Sequence, residues 1–155
     1  IEDSEGENLD DDSLDTEVSI SYTGIDNLSV TAGLQSGNGD DVGDTVSINA
    51  AYTAGKALLA MEYTEAEEAS GVAGSTDAEG YLVLGHYEVS DKLGVAIRYS
   101  EIDPDSGSAG EFDQITFAPN YAITDNLLGI LEFSDGEIDE DTDFESITLE
   151  LTLTF

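Results

Sequence analysis

The stretch FESITLELTLTF, residues 144–155, alternates residue by residue. Ile147, Leu149, Leu151, Leu153 and Phe155 fall on one side of an extended strand. Ser146, Thr148, Glu150, Thr152 and Thr154 fall on the other. Period two marks a strand with two unlike faces. A water-soluble sheet buries such an apolar face and wets the polar one, whereas a sheet that crosses a membrane does the reverse. Choosing between them decides the fold.

The same alternation recurs upstream. It predicts nine strands, at about 17–24, 28–36, 44–54, 57–65, 80–90, 93–102, 112–123, 127–134 and 144–155. Several reach the ~9–11 residues that a tilted strand needs to cross a bilayer. The apolar face runs through Val18, Ile20 and Tyr22, through Leu59, Met61 and Tyr63, through Val95, Ile97 and Tyr99, and so on to Leu131 and Phe133. No Asp, Glu, Lys or Arg interrupts it. The opposite face carries Ser, Thr, Asn and Gln together with Glu62, His86, Glu88, Arg98, Glu132 and Glu150.

The connections separate the two readings. Short turns at 24–28, 53–57, 89–93 and 123–127 have Asp-Asn, Gly-Lys or Asp-Lys centres, which is tight-turn chemistry. They alternate with acidic runs at 37–44, 65–80, 101–113 and 134–145. Short turns on one rim and long loops on the other are the habit of outer-membrane barrels, not of soluble meanders. Aromatics fall near both rims of the apolar band. Tyr22, Tyr52, Tyr87, Tyr121 and Phe155 lie on the turn side, and Tyr63, Tyr99 and Phe133 on the loop side, as in an interfacial aromatic girdle. The expected fold is all-β: an antiparallel up-and-down transmembrane β-barrel over 17–155, preceded by an acidic external loop or N-terminal extension at 1–16. Pro119 falls mid-strand and donates no ladder hydrogen bond, which predicts a local bulge there, with a strand at an open seam as the other reading.

Composition agrees. The chain has 155 residues, 36 acidic and 3 basic, for a formal charge of −33. Phosphate-directed nucleic-acid binding needs clustered Lys and Arg, and docking on anionic lipid needs the same; both are disfavoured. There is no cysteine, so disulfides and thiolate metal sites are excluded. No run approaches the ~20 apolar residues of a transmembrane helix. The chain opens on Ile1 with no initiator Met or signal peptide, which reads as a processed chain or a fragment.

The hairpins YLVLGHYEVSDKLGVAIRYSEID (81–103) and FDQITFAPNYAITDNLLGILEFSDG (112–136), with the terminal LELTLTF (149–155), resemble the OmpL-like porins of Gram-negative outer membranes. The resemblance covers roughly 44–155 and is one of hairpin pattern. It implies an outer-membrane channel contacting lipid and lipopolysaccharide, a homotrimer, and a final aromatic, Phe155, that the barrel-assembly machinery reads. Members of that family are considerably longer. Nine strands starting in an external loop would then be part of a larger even-stranded barrel with strands upstream.

Glu62, His86, Glu88, Arg98, Glu132 and Glu150 are the candidate lumen residues, since charges inside a polar lumen tune ion selectivity. Acids outnumber Arg98 and so predict a mild cation preference; Arg98 could instead bridge Glu62 or Glu132 in a filled interior. His86, alone and without Cys, does not make a zinc site of the usual kind. No nucleotide-binding or hydrolase fingerprint is present, and no cofactor or enzymatic activity is expected. DDDSLD (10–15) and DEDTD (139–143) are dense enough in acid for weak loop calcium, but neither fits a calcium-loop pattern, and solvated charge is the simpler reading. Two other functions fit the residues: a closed structural or adhesive barrel, favoured by inward Leu82, Leu84, Leu128 and Ile130, and a soluble acidic β-protein acting as an assembly subunit.

Overall fold

Alternation and turn chemistry together produce one antiparallel meander. The computed structural model describes residues 16–36, 43–67, 77–105, 111–139 and 142–155. The acidic segment before Thr16, with its DDDSLD run, lies outside these, as do residues 140 and 141 of DEDTD. The strands are β1 (Thr16–Ile25), β2 (Leu28–Ser36), β3 (Thr45–Ala54), β4 (Ala57–Ala66), β5 (Ala78–Glu88), β6 (Leu93–Pro104), β7 (Phe112–Thr124), β8 (Leu127–Ile138) and β9 (Thr142–Leu153). They form a single sheet in sequence order, and every adjacent pair is antiparallel. The sheet is open, with β1 and β9 as its edges.

The turns form as their residues dictate. Asn27 takes the left-handed conformation (φ 64°) in the Asp26-Asn27 turn, with a register shift in the adjoining strand. Gly55 does the same (φ 60°) at the first central position of the Gly55-Lys56 turn, where glycine is favoured. The Ser90 hydroxyl accepts from the Lys92 and Leu93 amides and closes the β5–β6 turn. Lys56 and Lys92, two of the three basic residues, both sit on this rim.

The burial pattern is inverted relative to a soluble sheet. The apolar face is exposed: Ile20 by 74%, Ile147 by 72% and Leu149 by 68%. The only buried positions among the described residues are Gly94, Thr116, Ala118 and Ser134, all at polar-face positions of β6–β8. With no second layer packed on the sheet, that burial comes from curvature toward the polar side.

The strands also lean. Leu28, the first residue of β2, lies on the same cross-strand row as Phe133 of β8, six residues past that strand's own first residue, Leu127. The stagger is therefore six residues over six strand steps, one per step. At 3.3 Å per residue and 4.8 Å between strands this is a tilt of about 35°, the range of closed barrels. On β6 the apolar outer face runs from Leu93 to Tyr99 before Glu101 ends it. The eight residue steps from Leu93 to Glu101 cover about 26 Å along the strand and about 22 Å along the barrel axis, close to the ~25 Å apolar band of outer-membrane barrels.

Two expectations need correction. Pro119 makes no bulge: Phe117↔Phe133 and Asn120↔Ile130 keep one register, and the ladder toward β8 merely skips Ala118 and Pro119. Nor is Pro119 at a seam, because β7 is paired on both sides. The acidic runs are also shorter as loops than their charge suggests. β6 continues to Pro104, β8 to Ile138, and β9 begins at Thr142, leaving only residues 139–141 between the last two strands. Glu101, Asp103, Asp113, Asp135, Glu137, Asp143 and Glu145 are consequently strand residues on the outer face, above the apolar band. The ladder extends because apolar residues alternate with these acids on the inner face.

Candidate functional site

The concave polar face is the candidate site, and the stagger shows which of its residues share a depth. β4, β6 and β8 each begin just after a short turn, at Ala57, Leu93 and Leu127. Glu62, Arg98 and Glu132 each lie five residues further on, all at inner positions. They therefore stand at one level, roughly mid-depth. Glu150 of β9, opposite Ile130, is one residue lower. At two strand steps apart along a wall tilted by about 35°, neighbours in this ring are about 12 Å from one another. Among the described residues no carboxylate pairs with Arg98.

Arg98 instead leans onto hydroxyls. Its Nη2 donates to Thr116 Oγ1 at 3.5 Å, and Thr116 Oγ1 and Ser134 Oγ share a hydrogen bond of 3.0 Å. The three residues are cross-strand neighbours on β6, β7 and β8. Arg98 Nε is inaccessible and has no hydrogen-bond partner among the described residues. Nearer the turns, the Asn120 amide donates to His86 Nε2 at 3.5 Å. That contact passes over Gly94, where a Cβ would come within 2.6 Å of both His86 Nε2 and Asn120 Oδ1. The glycine lets β5 and β7 touch across β6. Glu88 lies at the turn end, opposite Gly94, and Thr152 Oγ1 donates to Glu150 at 2.9 Å.

Sequence reading missed one feature of this wall. At the loop end, Ile102, Phe112 and Ile138 occupy one inner row across β6–β8, with Phe144 just below on β9. The Phe112 and Phe144 rings stack at 5.6 Å and 16°. They can meet because Gly136 lies between them, where a Cβ would come within 2.8 Å of the Phe144 ring. The signal was present, since Glu101-Ile102-Asp103 and Glu137-Ile138-Asp139 alternate.

On the outer face, Tyr63, Tyr99 and Phe133 each follow a ring residue, so their side chains mark the loop-side rim at one depth. Tyr22, Tyr52, Tyr87 and Tyr121 lie on the turn-side rim, about half exposed, and Phe155 is fully exposed beyond Leu153. Tyr81 and Tyr99 both donate to Glu101, Tyr99 at 2.6 Å. Glu101 stands above the apolar band, and these hydroxyls, Tyr81 first, hold its carboxyl below the usual carboxylate range. Among the described residues no three or more His, Asp or Glu converge to hold a metal.

An open, strongly staggered meander with lipid-type residues outside and charge inside is the wall of a membrane barrel. A sequence model of the Gram-negative porins matches residues 2–137. Comparison with curated proteins gives no match. The match supports the OmpL-like resemblance, places the protein in the outer membrane with lipid around its apolar band, and sets aside a soluble acidic β-protein. This chain belongs to the Gram-negative porin family.

Proposed function

We propose that the protein gives passive, mildly cation-selective passage to small hydrophilic solutes, without enzymatic activity. The observation that carries this is the mid-depth ring: Glu62 and Glu132 level with Arg98, Glu150 one residue below, and, among the described residues, no ion pair neutralising these acids. Unpaired carboxylates at one depth lower the energy of a cation there and raise that of an anion. Arg98 opposes them, which keeps the preference mild. β1 and β9 run in the same direction, so antiparallel closure takes an odd number of further strands and gives an even-stranded barrel. Above about eight strands the interior exceeds what side chains fill.

The experiment is reversal potential across a planar bilayer holding the full-length barrel, under a KCl gradient. A potassium preference is expected. Glu62→Gln with Glu132→Gln should reduce it, and Arg98→Gln should raise it. No channel at all, or chloride preference, would sink the reading. A closed structural barrel remains the second reading, supported by inward Leu82, Leu84, Leu128 and Ile130; it predicts zero conductance from a folded protein.

Three further roles belong to the same proposal. Phe155, exposed on the apolar side past β9, is the residue the resemblance assigns to the barrel-assembly machinery; deleting it should reduce insertion in cells. The outer-face acids above the band, Glu101, Asp113 and Glu137 among them, are at the height where lipopolysaccharide headgroups would meet the barrel. Association as a homotrimer rests on the resemblance alone and is read by native mass in detergent.

A further inference from the structure

The polar face is interrupted by a recess of about 340 Å³ between β4 and β6, running from the charge ring toward the loop end. Glu62 stands at its lower end, Gly80 in its floor, and Leu82 and Ile102 along it, with Thr64 and Ser100 beside them. Leu82 is the direct cross-strand neighbour of Glu62, and Ile102 that of Gly80. Gly80, in the floor, adds no side chain to the hollow. A methyl built there would meet Glu101 O at 3.5 Å and Ile102 Cγ1 at 3.8 Å, ordinary contacts that leave the recess open rather than strained.

Two chemistries meet here. Leu82 is half-buried and Ile102 is 48% exposed, so the recess joins accessible aliphatic surface to the Thr64 and Ser100 hydroxyls and the Glu62 carboxylate. Exposed aliphatic surface of this kind is stabilised by any solute that covers it with its own apolar surface. Glu62, by contrast, is exposed, unpaired among the described residues, and attracts a cation within a chain of charge −33. A purely polar cation gains only the second interaction, and a neutral alcohol only the first. A solute carrying an ammonium on a short alkyl or aryl group gains both at once.

We propose that this recess is a binding station for small amphipathic ammonium ions, with the ammonium at Glu62 and the apolar part along Leu82 and Ile102. The station rests on the reading of the polar face as a water-filled lumen. It gives that lumen a preference among cations, for amphipathic amines over equally charged polar ones.

The test uses the full-length protein in detergent, methyl-labelled at Leu and Ile, titrated with n-butylammonium chloride and followed by NMR. Saturable shifts of the Leu82 and Ile102 methyls are expected, with Ile20 on the outer face unmoved. Methylammonium and n-butanol should each bind more weakly, and Glu62→Gln should weaken butylammonium by about five-fold, the scale of one exposed charge pair. Ile102→Ser should weaken butylammonium but not methylammonium. Equal titration by butanol, an unchanged affinity in Glu62→Gln, or no saturable shift would each overturn the station. KCl conductance is measured in parallel. Channels without the methyl shifts remove the station alone; methyl shifts without channels remove the channel reading and leave the recess.

Discussion

Replacing Ile97 by arginine tests the inversion of the faces. Ile97 is on the outer face of β6, four residues from Leu93 and four from Glu101, so it sits at the middle of an apolar band about 22 Å tall. It is 52% exposed on the outer face. A cation on the lipid face of an outer-membrane barrel costs about 2–4 kcal/mol at the midplane and about 0–1 near the interfaces. Ile97→Arg should therefore destabilise the barrel by about 2–4 kcal/mol, and Leu93→Arg, at the turn-side edge, by about 0–1 kcal/mol. Asn49→Arg, exposed on the inner face, should change stability by no more than about 0.5 kcal/mol. Urea titration of folding into lipid vesicles, read by circular dichroism and gel mobility, measures all three. Equal costs for Ile97→Arg and Leu93→Arg would refute the depth assignment, and a larger cost at Asn49 than at Ile97 would refute the assignment of the faces.

Three further outcomes are expected. Gly136→Ala puts a Cβ 2.3 Å from the Asp113 carbonyl oxygen and should cost about 1–3 kcal/mol, whereas Gly80→Ala should be nearly neutral; the same urea titration compares them. Asn27→Ala, at φ 64°, should cost about 1 kcal/mol while Asn27→Gly is tolerated, with hairpin formation read by thermal melting. Glu101, its carboxyl titrating low in the folded barrel, contributes stability that is present above the unfolded-state carboxylate value of 4.5 and lost as pH falls through the lower folded value. Tyr99→Phe should weaken that acid dependence, and an unchanged acid limb in urea melts would remove the contribution.

Much of this was legible because a strand states its faces residue by residue. Glu62-Tyr63, Arg98-Tyr99 and Glu132-Phe133 are one repeated device: a charge turned inward and an aromatic turned outward at the same depth. The sequence also showed the short turns, and those turns fix where each strand starts. What stayed hidden follows from charge density and curvature. The runs around Glu101, Asp113 and Glu137 look like solvated loops because acids dominate their composition. Their alternation with Ile102, Phe112 and Ile138 nevertheless continues the ladder. Burial of Thr116 and Ser134 could not be read from their neighbours, since it arises from the way β6–β8 curve together. The level shared by Glu62, Arg98 and Glu132 required the pairing register. The recess above Glu62 required it too, because Gly80 and Ile102 meet only across strands.

The central claim is that one face of this sheet meets lipid and the other meets water. These 155 residues hold no cysteine, so single cysteines at positions 95 to 100 of β6 can each carry a spin label in the full-length barrel reconstituted in lipid, with any cysteine elsewhere in it replaced. Oxygen, which concentrates in lipid, should broaden the labels at 95, 97 and 99, and a polar nickel complex those at 96, 98 and 100. Alternation with period two and this phase is the predicted result. The opposite phase, or nickel access at every position, would contradict the account.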